Sequence, residues 1–144
     1  MSASDTIFPC LSYDDAPGAI EWLCAAFGFE KRLVVPREDG GVLHSELTFG
    51  SGVILVSSTR PAEGRLSPQS LAGVPMGLSV SVEDPDAHYE VAVAAGAVIL
   101  KPVEDQHFGG RGYAVRDLEG HHWFFGSYRP GEHWSSGDQG ATTP

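Results

Sequence analysis

Basic residues are scarce in this chain, nine Lys and Arg against nineteen Asp and Glu, for a formal charge of −10. Such a surface repels a phosphate backbone or an anionic membrane, so no nucleic-acid or membrane partner is expected and a cationic ligand is favoured. Cysteine is nearly absent. Cys10 and Cys24 fall in an expected strand and an expected helix with no closely spaced partner, which excludes a metal knuckle or a disulfide framework and leaves buried free thiols. No apolar run approaches the ~20 residues of a membrane span, and Met1-Ser2-Ala3-Ser4-Asp5 lacks a basic stretch leading into an apolar one. A soluble cytoplasmic protein is the expectation. A Ser-His-Asp arrangement, a phosphate-cradling glycine loop and a basic stripe are missing too, so hydrolysis by a nucleophile, nucleotide use and nucleic-acid binding rank low.

What is present is 144 residues with 42% apolar content, enough for one domain with a substantial core. Its most ordered stretch, Arg111 to Phe125, reads as two alternating strands across a turn at Leu118-Glu119-Gly120, where the glycine supplies a positive φ. Leu43 to Ser57 resembles it. Laying Gly52 on Gly120 puts Leu47 on Val115, Leu55 on Trp123 and Val56 on Phe124.

The repetition extends upstream. Ile7 to Tyr13 alternates into Asp14-Asp15-Ala16-Pro17, a carboxylate cap with proline in the first turn, and Ile20, Leu23, Ala26 and Phe27 form an apolar stripe ending at Gly28. Phe29 to Pro36 reads as a strand before the first hairpin. In the second half Gly77 to Val82 alternates, Glu83-Asp84-Pro85 repeats the helix start, Ala87 to Ala95 is helical, Val98 to Leu100 is a strand and Lys101 to Gly110 a loop. Asp84 stands 69 residues after Asp15, while Gly96 and Gly120 stand 68 after Gly28 and Gly52. A duplicated unit follows. The expected organisation is an α+β fold of two βαβββ modules, residues 7–57 and 76–128, joined by a linker at 58–75 and followed by a tail at 129–144 whose last third is mobile.

Each sheet should have one face under its helix. Parity assigns Leu11, Tyr13, Leu47, Phe49, Leu78, Val80, Val82, Val115, Trp123 and Phe125 to that face. Phe8, Cys10, Ser12, His44, Glu46, Thr48, Ile54, Val56, Gly77, Ser79, Ser81, Gly112, Ala114, Arg116, His122 and Phe124 take the other. That mixture of small, polar and aromatic residues suits a cleft.

The Leu-Ser-Tyr-Asp-Asp-Ala-Pro-Gly-Ala-Ile-Glu-Trp-Leu opening, His44-Ser45-Glu46-Leu47, and Phe108-Gly109-Gly110-Arg111 leading into Arg116-Asp117-Leu118-Glu119-Gly120-His121 resemble the glyoxalase/bleomycin-resistance/dioxygenase family, the vicinal oxygen chelate proteins. The resemblance covers Ile7 to Tyr128. It implies paired βαβββ modules in curved mixed sheets around a cleft, helices outside, a homodimer and, in the family's enzymes, a divalent metal held by four side chains. Carried over, those four positions fall on Phe8, Val56, Gly77 and Phe124, none of which is a metal ligand. The resemblance therefore points to the metal-free branch that sequesters bleomycin-like antibiotics, with no cofactor.

The expected ligand-binding residues are aromatic walls from Phe8, Phe108 and Phe124 and polar contacts from His44, Glu46, Ser79 and Ser81. His44 and Glu46, two apart on one strand face, could instead join His122 as a relocated metal site in a lyase or oxidoreductase, or form a plain hydrogen-bonded pair. Arg111 could hold a ligand carboxylate or a structural ion pair. His121 reads as turn-stabilising or exposed, His88 as solvated, and His107 as a loop residue. Phe108, before two glycines, reads as a lid.

Overall fold

The computed structural model describes residues 6–131. The last residues of the expected tail lie outside them. Two compact units divide the chain: one runs to Val74 and includes Leu118–His121, and the other comprises Pro75–Asp117 and the chain from His122 onward.

In the first unit β1 (Cys10–Tyr13), α1 (Ala16–Phe27), β2 (Glu30–Pro36), β3 (Val42–Phe49) and β4 (Gly52–Ser58) make a four-stranded sheet ordered β1-β4-β3-β2. β1 and β4 run parallel, and the other pairs are antiparallel. The cap of α1 follows the local chemistry: Asp15 Oδ1 accepts from the Gly18 amide at 3.1 Å. Ala16, Ala19, Ile20, Leu23, Ala26 and Phe27 of α1 are buried, as are Leu11, Tyr13, Leu47, Ile54 and Val56 of the sheet. These are the apolar stripe and the alternating strand positions meeting, each large side chain contributing about 1.5–3 kcal/mol.

The second unit repeats the plan with β5 (Gly77–Ser81), α2 (Pro85–Ala94), β6 (Val98–Asp105), β7 (Arg111–Arg116) and β8 (His122–Gly126), ordered β5-β8-β7-β6 with β5 parallel to β8. Asp84 caps α2 through the Ala87 amide at 3.1 Å. Of α2 only Pro85 and Ala92 are buried; the core is a sheet-borne stack of Tyr113, Val115, Trp123 and Phe125.

Four local readings change. β6 does not stop at Leu100 but continues through Lys101 to Asp105, carried past Pro102 by two register irregularities. In β4 the pairing Leu47↔Ile54 against Val115↔Trp123 in the second unit makes Ile54 the counterpart of Trp123, and Leu55 that of Phe124. Ile54 and Val56 are consequently buried under α1 rather than on the open face; the second hairpin has a loop one residue longer, which displaces the match. The thiols also differ from expectation: Cys10 is exposed, and Cys24 is half-buried, with partial burial pushing its thiol up.

The stretch 58–75 is more than a linker. It holds 3₁₀ turns at Pro61–Glu63 and Pro68–Ser70, and Ser67 is fully buried. Ser67 Oγ donates to Glu119 at 2.6 Å, and the same carboxylate accepts from the Asp14 and Asp15 amides at 2.7 and 2.9 Å. Glu119, 5% exposed, thus receives three hydrogen bonds beside the start of α1, where a negative charge is favoured. His121 is half-buried rather than exposed and reaches β1: its Nε2 lies 3.0 Å from the Ser12 carbonyl and its ring packs against Tyr13.

Candidate functional site: the open face of the second sheet

On the face of the second sheet away from α2, strand pairing lines up one residue from each strand: Ser79, Phe124, Ala114 and Lys101. Two positions along β7 and β8 from the Ala114–Phe124 pair, two glycines face each other, Gly112 and Gly126. A Cβ at Gly112 would come within 2.6 Å of Phe124 Cζ, and one at Gly126 within 2.7 Å of Cε2, so the ring lies flat across two positions that only glycine leaves clear. The half-buried Phe124 is therefore a floor rather than an upright plug.

Aromatic walls rise beyond it. The Gln106–Gly110 turn closes through Gln106 N–Gly110 O at 2.9 Å, and a Cβ at Gly110 would sit 2.8 Å from the Tyr128 amide nitrogen. The turn can approach because residue 110 has no side chain. Phe108 and Tyr128 meet edge to face at 5.2 Å between ring centroids. Ser81 Oγ donates to the Tyr128 carbonyl at 3.1 Å and fastens that wall. Gln106 Nε2 donates to the Glu104 and Gly112 carbonyls at 3.1 and 3.4 Å.

These residues enclose a cavity of about 460 Å³ lined by Ser79, Lys101, Gln106, Phe108, Phe124 and Tyr128, with Tyr113, Ala114 and Pro130. An adjoining hollow of about 280 Å³ shares Ser79, Ala114 and Phe124 and adds Leu100 and His122. The first lies within the range of about 300–1,000 Å³ that suits small organic ligands.

Of the expected site residues, Ser79, Phe108 and Phe124 line this cavity, and Ser81 supports it without being among the lining residues. Phe8, His44 and Glu46 belong to the first unit. There Phe8 is 42% exposed, and Glu46 takes Arg32 Nε at 3.2 Å on one oxygen and His44 Nε2 at 3.1 Å on the other. Arg111 is structural: its guanidinium meets both oxygens of Asp86 at 2.9 and 3.0 Å and reaches Asp105 at 3.2 Å, holding the Asp86 carboxyl below its ordinary range. His88 is not solvated; its ring packs 4.2 Å from Phe125 and its Nδ1 lies 2.7 Å from the Tyr113 hydroxyl, whose burial pushes that phenol up. His107 packs edge-on against Phe108.

Lys101, Gln106 and Tyr128 were not foreseen. Period-two counting from Phe124 through Gly126 would have brought Tyr128 to the same face. Nothing local marks Lys101, because a bulge leaves no composition signal.

The chain belongs to the Glyoxalase/Bleomycin resistance protein/Dioxygenase superfamily, whose family model matches residues 7–125. It is 33% identical over 129 residues to the uncharacterized protein Rv0887c of Mycobacterium tuberculosis, covering 88% of this chain and 76% of that one. Among solved structures it is similar to TioX from Micromonospora sp. ML1, with 36% identity, a TM-score of 0.70, and coverage of 88% of this chain and all of that one. The fosfomycin resistance protein FosX from Listeria monocytogenes shares the fold at 13% identity, with a TM-score of 0.65 and coverage of 89% and 94%.

The divalent metal of the family's enzymes does not fit the donors here. Three of the equivalent positions are Phe8, Gly77 and Phe124, and the register correction replaces Val56 by Leu55, equally without a donor atom. Among the described residues no three His, Cys, Asp or Glu side chains cluster so as to hold a metal ion. His44 and Glu46 supply two donors, but Arg32 already engages the carboxylate. No helix among the described residues is long and apolar enough to cross a membrane.

Proposed function

We propose that this chain is a small-molecule binding protein, related in role to bleomycin-resistance proteins, that sequesters a planar aromatic ligand without a catalytic metal. One observation carries the reading: the cavity on the open face of the second sheet is floored by Phe124 laid across Gly112 and Gly126 and walled by Phe108 and Tyr128. Flat rings offer a stacking surface at little entropic cost, and the few polar groups around them orient what stacks. The charge of −10 pointed to a cationic ligand, yet the cavity lining carries Lys101 and no carboxylate, so its local sign is not that of the whole chain. The proposal includes a homodimer in the cytoplasm.

The test compares wild type with Phe124→Ala against a panel of aromatic antibiotics and metabolites, by thermal shift and titration calorimetry. Ligand affinity should fall about tenfold or more in the variant, the loss of a buried aromatic contact, with little change in melting temperature because Phe124 is half-buried. A variant that binds as well as wild type removes the cavity from the reading. Mass spectrometry of the recovered ligand should show it unchanged; a converted product would replace the binder by an enzyme.

A further inference from the structure

From the course of β6 we infer that the cavity is an acceptor for aromatic carboxylates, with Lys101 as the residue that recognises the acid group; this rests on the proposed binding role of the same cavity. The observation is a bulge. Ile99 pairs with Val115 and the next pair is Lys101 with Ala114, which leaves Leu100 without a partner in the ladder. Val115 is fully buried on the α2 side and Ala114 faces the cavity. With regular pairing Leu100 would stand opposite Ala114 and Lys101 opposite Tyr113, which is 1% exposed. The bulge turns the ammonium out of the core and into the row with Phe124 and Ser79.

Avoiding burial of a charge would explain why Lys101 faces outward, but not what it does there. In a chain with nineteen acidic residues, a surface lysine readily finds a carboxylate. Lys31 takes Glu21 at 2.6 Å, and Arg111 takes Asp86 and Asp105. Lys101 has no carboxylate within ion-pair distance and no hydrogen bond or ring contact among the described residues, although Glu104 and Asp105 follow it in the same strand. Glu104 stands opposite Gly112 on this face, is exposed and is not part of the lining. With the Gln106 amide N–H groups already given to the Glu104 and Gly112 carbonyls, the lining presents aromatic surface, the hydroxyl of Ser79 and one uncompensated cation. A ring system stacked on Phe124 with a carboxylate at its edge matches all of these.

The probes are 2-naphthoate, 2-naphthamide and 2-naphthylmethylammonium, which share a ring system and differ in charge. Each is titrated into wild type, Lys101→Met and Phe124→Ala by calorimetry. Lys101→Met keeps the aliphatic stem, and the position is exposed, so the fold is retained. Naphthoate should bind wild type about fivefold tighter than naphthamide, an advantage that Lys101→Met abolishes and that rising salt erodes, while the amide's affinity is unchanged by the substitution. If the amide or the ammonium binds at least as tightly as the acid, and Phe124→Ala weakens it, the cavity stands and the role of Lys101 is overturned. If no probe binds wild type, the cavity reading and this inference fall together.

Discussion

The two units have the same strand order and opposite ways of filling it. In the first, the helix does the work: α1 sends six residues into the core over Leu11, Leu47, Ile54 and Val56. In the second, α2 buries only Pro85 and Ala92, and the sheet supplies its own bulk in Tyr113, Trp123 and Phe125, with the Trp123 and Phe125 rings stacked at 5.8 Å. The open faces diverge as well. Glu46 of the first is occupied by Arg32 and His44, whereas the second has a cavity lined by Lys101, which has no ion-pair partner among the described residues. The difference shows that the βαβββ plan constrains hydrogen bonding and direction but not which layer provides the core volume. That tolerance leaves the second unit room for a cavity on its open face while its core stays filled from the sheet.

The largest effect should separate the two cores. Trp123→Ala removes the largest buried ring and strips the buried Asp117 carboxylate of the indole N–H donated at 2.9 Å, so a loss of about 3–5 kcal/mol is expected in urea unfolding. Leu23→Ala in α1 should cost about 2–5 kcal/mol. Val91→Ala in α2, at a position 52% exposed, should stay within about 0.5 kcal/mol. Equal costs for Leu23 and Val91 would dissolve the contrast between the helices.

Next in size is Glu119→Gln. Its carboxylate accepts from three donors, and a side-chain amide would turn an NH₂ toward at least one of them, at a cost of about 1–3 kcal/mol by chemical denaturation. The Asp84 cap of α2, a single hydrogen bond from the Ala87 amide to an exposed carboxylate, offers a smaller comparison.

The smallest effect concerns acid. Arg111 hydrogen-bonds Asp86 and holds its carboxyl below the ordinary 3.8, so the pair's contribution is present above that value and lost as pH falls through the lower folded value. Unfolding midpoints compared between pH 5 and pH 2.5 should therefore show a slightly smaller acid loss in Asp86→Asn than in wild type. An identical acid profile would mean the exposed pair contributes nothing measurable.

Much of the fold is legible in the sequence, for physical reasons. Asp15 and Asp84 cap because a carboxylate satisfies amides that no helix can satisfy internally, and Pro17 and Pro85 fit a first turn for the same reason. Alternation in β7 and β8 placed Phe124, Ala114 and His122 correctly because side-chain period is a local property of extended backbone. It failed at Val56, where one extra loop residue in the second hairpin shifted the comparison and a slip of one exchanges the faces.

The sequence by itself determined the duplication, the α+β order and the two capped helices, since all of these depend on neighbours in the chain or on residue type alone. Only the tertiary structure decided that Glu119 anchors Asp14, Asp15 and Ser67, because those groups lie 105, 104 and 52 residues away in the chain. It also decided that Lys101 reaches the cavity, because a bulge arises from the fit between β6 and β7 and not from either strand alone.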